Sequence, residues 1–193
     1  MTHRRGLVVA AIALVAGLLV WLMFFALPHR YSGATPTKAV AAAPSSTPAP
    51  PPGRKIKARL FYVAEDGSHL TGVEREIAYG EGTVAQAREI VAAQLAPVAE
   101  PLVSAVPAGT MLRALFVSDR GDAYVDLSRD IIASHPGGST TELLTVFTIV
   151  DALTENLPAV RAVQLLVDGK EVDTIAGHID LRRPLEKNVT WIQ

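Results

Sequence analysis

The chain contains no cysteine. That excludes disulfides, thiolate metal sites and a lipid-modified N-terminal cysteine, while leaving every compartment open. Histidine does not replace it as a metal ligand, because no two of the five histidines stand three to five residues apart. Three signatures of bound nucleotides and activated serines are missing as well. No lysine completes a G-x-x-x-x-G-K-[ST] loop, no strand-to-helix glycine pattern of a dinucleotide fold occurs, and no serine stands in G-x-S-x-G. Acidic residues are absent from residues 1–54, which hold five Lys/Arg. The other 13 Lys/Arg and all 19 acids lie in residues 55–193, a net −6. A domain of that sign suits nucleic acid poorly, since such binding rests on neutralising phosphates. No nucleic-acid partner is expected.

What is present begins with "LVVAAIALVAGLLVWLMFFAL", residues 7–27, without a charge. As a helix it would be about 31 Å long, enough for a hydrocarbon core of roughly 30 Å. A signal peptide has a shorter apolar core, and the "AVAAA" at residues 39–43 lies well beyond this one. The span therefore reads as an uncleaved signal-anchor, with residues 1–6 in the cytoplasm behind Arg4 and Arg5. Residues 28–54 are rich in Pro, Ala, Ser and Thr and read as a disordered linker. The part from 32 to 53 would reach roughly 70 Å if fully extended. The expected location is the cytoplasmic membrane, single-pass, with the C-terminal domain outside the cytoplasm.

Residues 55–193 suffice for one core. "IKARLFYV" alternates apolar and polar residues at its start and "GVEREIAY" alternates again after Asp66-Gly67, which reads as a hairpin. Thr83 and Gln86 have the spacing of a capping box before an amphipathic helix that stops ahead of Pro97. A second hairpin is expected in residues 111–128 and a helix from Ser139 to about Asn156. A third hairpin is expected around Asp168-Gly169, in residues 162–175. Hairpins alternating with helices predict an α/β (α+β) two-layer sandwich: one mixed sheet built from hairpins, with two main helices on a face.

The stretch "HPGGSTTELL" invites an anion-binding or nucleophilic reading. Ser139 and Glu142, however, form a capping box ahead of an apolar series that falls mostly on one helical face. A structural start of a helix is the stronger reading. A hydrolase would have to draw on His135 or His178 with Ser139 and Asp126 or Asp180, none of them at motif spacing. Asp126, Asp130, Asp151 and Glu155 read as solvated strand ends and helix faces. No catalytic residue, cofactor or metal is therefore expected. Within "SHPGG" (134–138), His135, Gly137 and Gly138 form a candidate contact loop, since glycines permit close backbone approach.

Five motifs occur in order: "SAVPAGT" (104–110), "GDAYVDLS" (121–128), "GGSTTELLTVFTIVDALTE" (137–155), "VQLLVDGKE" (163–171) and "GHIDLRRPL" (177–185). Together they resemble the sporulation and spore germination GerM family, whose unit is the GerMN domain, over nearly all of residues 56–185. The resemblance implies a non-catalytic extracytoplasmic module in envelope assembly, sporulation, germination or peptidoglycan remodelling. The implied partners are envelope, divisome or sporulation proteins, or peptidoglycan enzymes. The alternative is an envelope hydrolase or a glycan-binding auxiliary of cell-wall enzymes. The chain departs from many relatives in having a hydrophobic span where a lipid-bearing cysteine is common, and one domain where some have two.

Overall fold

The computed structural model describes residues 53–188, together with Trp21 and Thr190. The chain divides into two units, Met1–Ala49 and Pro50–Gln193, and the second carries the strands and the packed helices. Apart from Trp21, the expected span at 7–27 lies outside the described residues, as does the linker up to residue 52. Among the described residues no helix is long and apolar enough to cross a membrane.

Strands β1 (Lys55–Val63) and β2 (Leu70–Ala78) pair antiparallel, from Lys55 opposite Ala78 to Val63 opposite Leu70. The turn between them uses Gly67 at φ 71°, and the Asp66 carboxylate accepts the Ser68 N–H at 3.0 Å. Helix α1 (Gly82–Leu95) leads to strands β3 (Leu112–Val117) and β4 (Asp122–Leu127). A single turn, α2 (Asp130–Ala133), precedes the long helix α3 (Ser139–Asn156). Strand β5 (Ala162–Val167) runs parallel to β4, with α2 and α3 supplying the crossover that a parallel pair needs. Two short strands, β6 (Lys170–Glu171) and β7 (Leu185–Glu186), pair antiparallel with β5.

The hairpin expected around Asp168-Gly169 forms, with both turn residues at positive φ, 50° and 75°. Its second arm is only two residues long instead of reaching Ile175. The chain leaves the sheet because Ile175 is drawn into the core and its N–H is taken by a carboxylate on α3.

The fold is mixed α+β, but the single sheet expected from the sequence is two sheets. One is β1-β2; the other runs β3-β4-β5-β6 with β7 on β5. The separation has a local cause. On the edge of β1 away from β2, the Arg59 N–H and C=O pair with the Asn156 side-chain amide at 2.8 and 2.7 Å. Those of Phe61 pair with Gln94, and the Val63 N–H donates to the Val103 C=O at 2.9 Å. Side-chain amides from both helices thus occupy the positions a further strand would take.

Helix α3 packs against β1, α1 and β5, and every residue from Leu144 to Leu153 is buried. The one-sided amphipathic helix read from the sequence is therefore a central helix, enclosed all round. Its polar side chains survive burial by each binding a different segment. Thr145 donates to the Ala105 C=O at 2.7 Å and Thr148 to the Phe61 C=O at 2.7 Å. The Asp151 carboxylate accepts the Asn188 N–H at 3.1 Å. Asp151 and Asp126 are thus buried, not the solvated acids expected, because neighbouring loops supply backbone donors; Asp126 accepts the Gly169 N–H at 2.7 Å.

Candidate functional site

Ser139, Glu142, His135 and His178 gather around the N-terminal end of α3, but in other roles than those read from the sequence. Gly138, not Ser139, is the N-cap, with φ 90° and ψ 142°, and no side chain caps the helix. Gly137 before it has φ 85°. These angles explain the glycine pair: a Cβ is strained at either position. Ser139 is the first helical residue, and the Glu142 N–H is already bonded to the Gly138 C=O at 3.0 Å. The box expected at Thr83 and Gln86 fails likewise. The N-cap of α1 is Glu81, without a side-chain bond. Gln86 turns to the end of β2, where it accepts the Gly80 N–H at 3.0 Å and donates to the Ala78 C=O at 3.2 Å. A partner elsewhere that offers both a donor and an acceptor outcompetes a helix end that offers one.

Glu142 makes the same exchange on a larger scale. Its fully buried carboxylate accepts the N–H groups of Ile175, Ala176 and His178, each at 2.8 Å. The His178 Nδ1 is 3.0 Å away. Burial alone would raise the pKa, but the Ala176, His178 and Ile175 N–H groups and the His178 ring outweigh it, holding the carboxyl below its ordinary value. Glu142 is thus ionised, and the His178 ring donates to it through Nδ1. The ring is 44% exposed and lines a hollow of about 190 Å3 with Ser139, Thr140, Leu143 and Ile179.

His135 lies on the other side of the helix start. Its Nδ1 accepts the Gly137 N–H at 3.0 Å, so the proton of the neutral ring sits on Nε2. Nε2 donates to the Thr145 hydroxyl at 3.2 Å, and that hydroxyl donates in turn to Ala105. The relay ties the 134–138 loop to residues 103–108. Between these two segments and the β1–β2 turn lies a groove of about 470 Å3. Val63, Gly67, Val103 to Ala108, Pro136, Thr141 and Leu144 line it, none of them charged. Val103 is 56% exposed at its rim. The sequence pointed to the loop but not to this groove; the "SAVPAGT" motif was the one available signal for its second wall.

The candidate hydrolase residues are not assembled. Asp126 is bound to Gly169 and faces Arg113, and Asp180 is clasped by Arg182, whose hydrogen bonds hold it below the usual carboxylate range. Among the described residues no hydrogen bond joins Ser139 to either histidine. Nor does any group of three or more His, Asp or Glu converge as metal ligands would. Asp151 is a second fully buried acid. Burial pushes its pKa up to about 6, and its Oδ2 has no partner among the described residues.

Comparison with known proteins gives one family and several shared folds. A model described as Germane, sporulation and spore germination, matches residues 59–173, more than half of the chain. No curated protein matches the chain. Among solved structures, a candidate lipoprotein from Clostridium perfringens is 22% identical with a TM-score of 0.50, covering 70% of this chain and 89% of that one. The tandem GerMN domains of the sporulation protein GerM from Bacillus subtilis are 14% identical with a TM-score of 0.54, over 69% of this chain but only 46% of that one. The first of those domains alone is 16% identical with a TM-score of 0.52, over 68% and 97%. At such identities the likeness is one of fold.

Proposed function

The chain belongs to the Germane family of sporulation and spore germination, and we propose that it acts by contact: a non-catalytic, membrane-tethered module outside the cytoplasm. The observation that carries this reading is the apolar groove beside α3. Its lining has no charged residue, while the polar groups around it are committed to holding segments together. Apolar surface of this kind suits recognition of a protein better than bond-breaking, which needs convergent acids and bases. The uncharged stretch at residues 7–27 would supply the tether and residues 28–54 the reach. A tether also fits the candidate lipoprotein whose fold this domain shares. Envelope, divisome or sporulation proteins and peptidoglycan enzymes are the partners such a position offers.

The test is a photo-crosslinking residue placed at Val103 of the full-length chain in its own cell. A discrete adduct with a protein that has an extracytoplasmic domain is expected. Absence of any adduct, with peptidoglycan turnover by the purified chain, would overturn the reading. The alternative, an envelope hydrolase or glycan-binding auxiliary, has one observation in its favour: the oriented His178 beside Ser139 and Thr140. It requires turnover that His178→Ala abolishes while the fold persists.

A further inference from the structure

We infer that the groove beside α3 takes an apolar segment of a partner protein that carries basic residues on its flanks. The inference rests on the proposed contact function and gives the partner its chemistry. Two observations carry it, one of shape and one of charge.

The shape is apolar and open. Val63, Val103, Val106, Pro107, Pro136 and Leu144 supply most of the wall of a space of about 470 Å3, a size that holds a few apolar side chains. Its walls are braced from behind. The Val63 N–H bonds the Val103 C=O, and the His135–Thr145–Ala105 relay fixes the 103–108 segment to α3. A braced wall loses little freedom when a ligand arrives, which favours a real affinity from a small area.

The charge is one-sided. The lining residues fall within stretches 60–74, 89–112 and 130–160, and none of these contains a single Lys or Arg. Of the nine acids in the same stretches, Glu142 and Asp151 are buried and Glu74 and Glu155 are ion-paired, so the charge that counts is at the β1–β2 turn. Glu65 and Asp66, both exposed, stand immediately before Gly67 at the groove. The hydrogen bonds of Asp66 to Ser68, with the His69 ring 3.3 Å away, keep its carboxyl below the ordinary value, so this side chain stays negative. An uncharged apolar floor with two carboxylates at its turn attracts basic flanks and repels anionic lipid headgroups and acidic polymers.

The test uses the full-length chain in phosphatidylcholine nanodiscs and three fluorophore-labelled nonapeptides, read by anisotropy. The first is Lys-Lys-Val-Leu-Pro-Val-Leu-Lys-Lys. The second keeps its centre between glutamates, and the third keeps its lysines around a Ser-Gly centre. Saturable binding of the first alone is expected, weakened about tenfold by Val103→Asp and by the pair Glu65→Gln with Asp66→Asn, and weakened by salt. The pair spares the turn, since the amide oxygen of an asparagine still accepts the Ser68 N–H. Phe116→Ser, at an exposed position on β3, should leave binding unchanged. Equal binding of the second or third peptide, binding of none, or Val103-dependent binding to phosphatidylglycerol vesicles would overturn the inference. If peptide binding fails while the Val103 adduct in cells persists, the contact function stands and only this chemistry falls.

Discussion

Gln94 pairs its side-chain amide with the peptide group of Phe61 in both directions. Its Oε1 accepts the Phe61 N–H at 2.9 Å, and its Nε2 donates to the Phe61 C=O at 2.7 Å. The geometry is that of a neighbouring strand reduced to one amide. Asn156 repeats it two residues along, at Arg59. The two helices thereby close the edge of β1, satisfying the buried peptide group of Phe61 and the exposed one of Arg59.

Gln94→Leu should cost about 1–3 kcal/mol, because it leaves the buried Phe61 N–H unpaired while Thr148 still serves the C=O. Adding Thr148→Val should cost more than the two single losses together, since the C=O then has neither donor. Urea unfolding followed by circular dichroism measures both; additive losses would contradict a shared acceptor.

Glu142→Gln should destabilise the domain by about 3 kcal/mol, because an amide cannot accept all the N–H groups that the carboxylate accepts. The folded-state pKa is depressed below 4.5, so this contribution is present at neutral pH. It is lost as pH falls through the folded value. The variant's melting temperature should therefore approach that of the parent only under acid conditions.

Asp151 has the opposite sign. Its pKa rises from 3.8 to about 6 on folding, so the folded chain binds the proton more tightly. Stability should fall as pH rises from about 4 to about 6, by up to about 3 kcal/mol. Asp151→Asn should flatten that part of the profile and be more stable than the parent at pH 8. A variant less stable than the parent at pH 8 would show that the Oδ2 atom, too, has a partner.

At the start of α3 the glycine matters and the serine does not. Ser139→Ala should stay within about 0.5 kcal/mol of the parent, since Ser139 makes no cap. Gly138→Ala should cost on the order of 1–3 kcal/mol from φ 90° alone. Thermal melts of the two variants distinguish them directly.

The elements of the domain were legible because their signals are local. Alternation from Ile56 to Leu60 announces β1, and Asp168-Gly169 announces the turn after β5. The glycine pair followed by an apolar series announces α3 at its observed bounds, Ser139–Asn156. Each depends on residues within a few positions of one another, and turn chemistry and periodicity are rules of that range. The roles of Glu142, Gln86 and Gln94 were not legible. A capping box is the best local offer to such side chains, and sequence can weigh only local offers. Glu142 found its donors 33 to 36 residues away, and Gln94 found Phe61 33 residues away. Enclosure of α3 on every side, division into two sheets and the groove beneath Val103 share that origin. They depend on which distant backbone groups are left unpaired once the elements pack, and only the packed structure decides that.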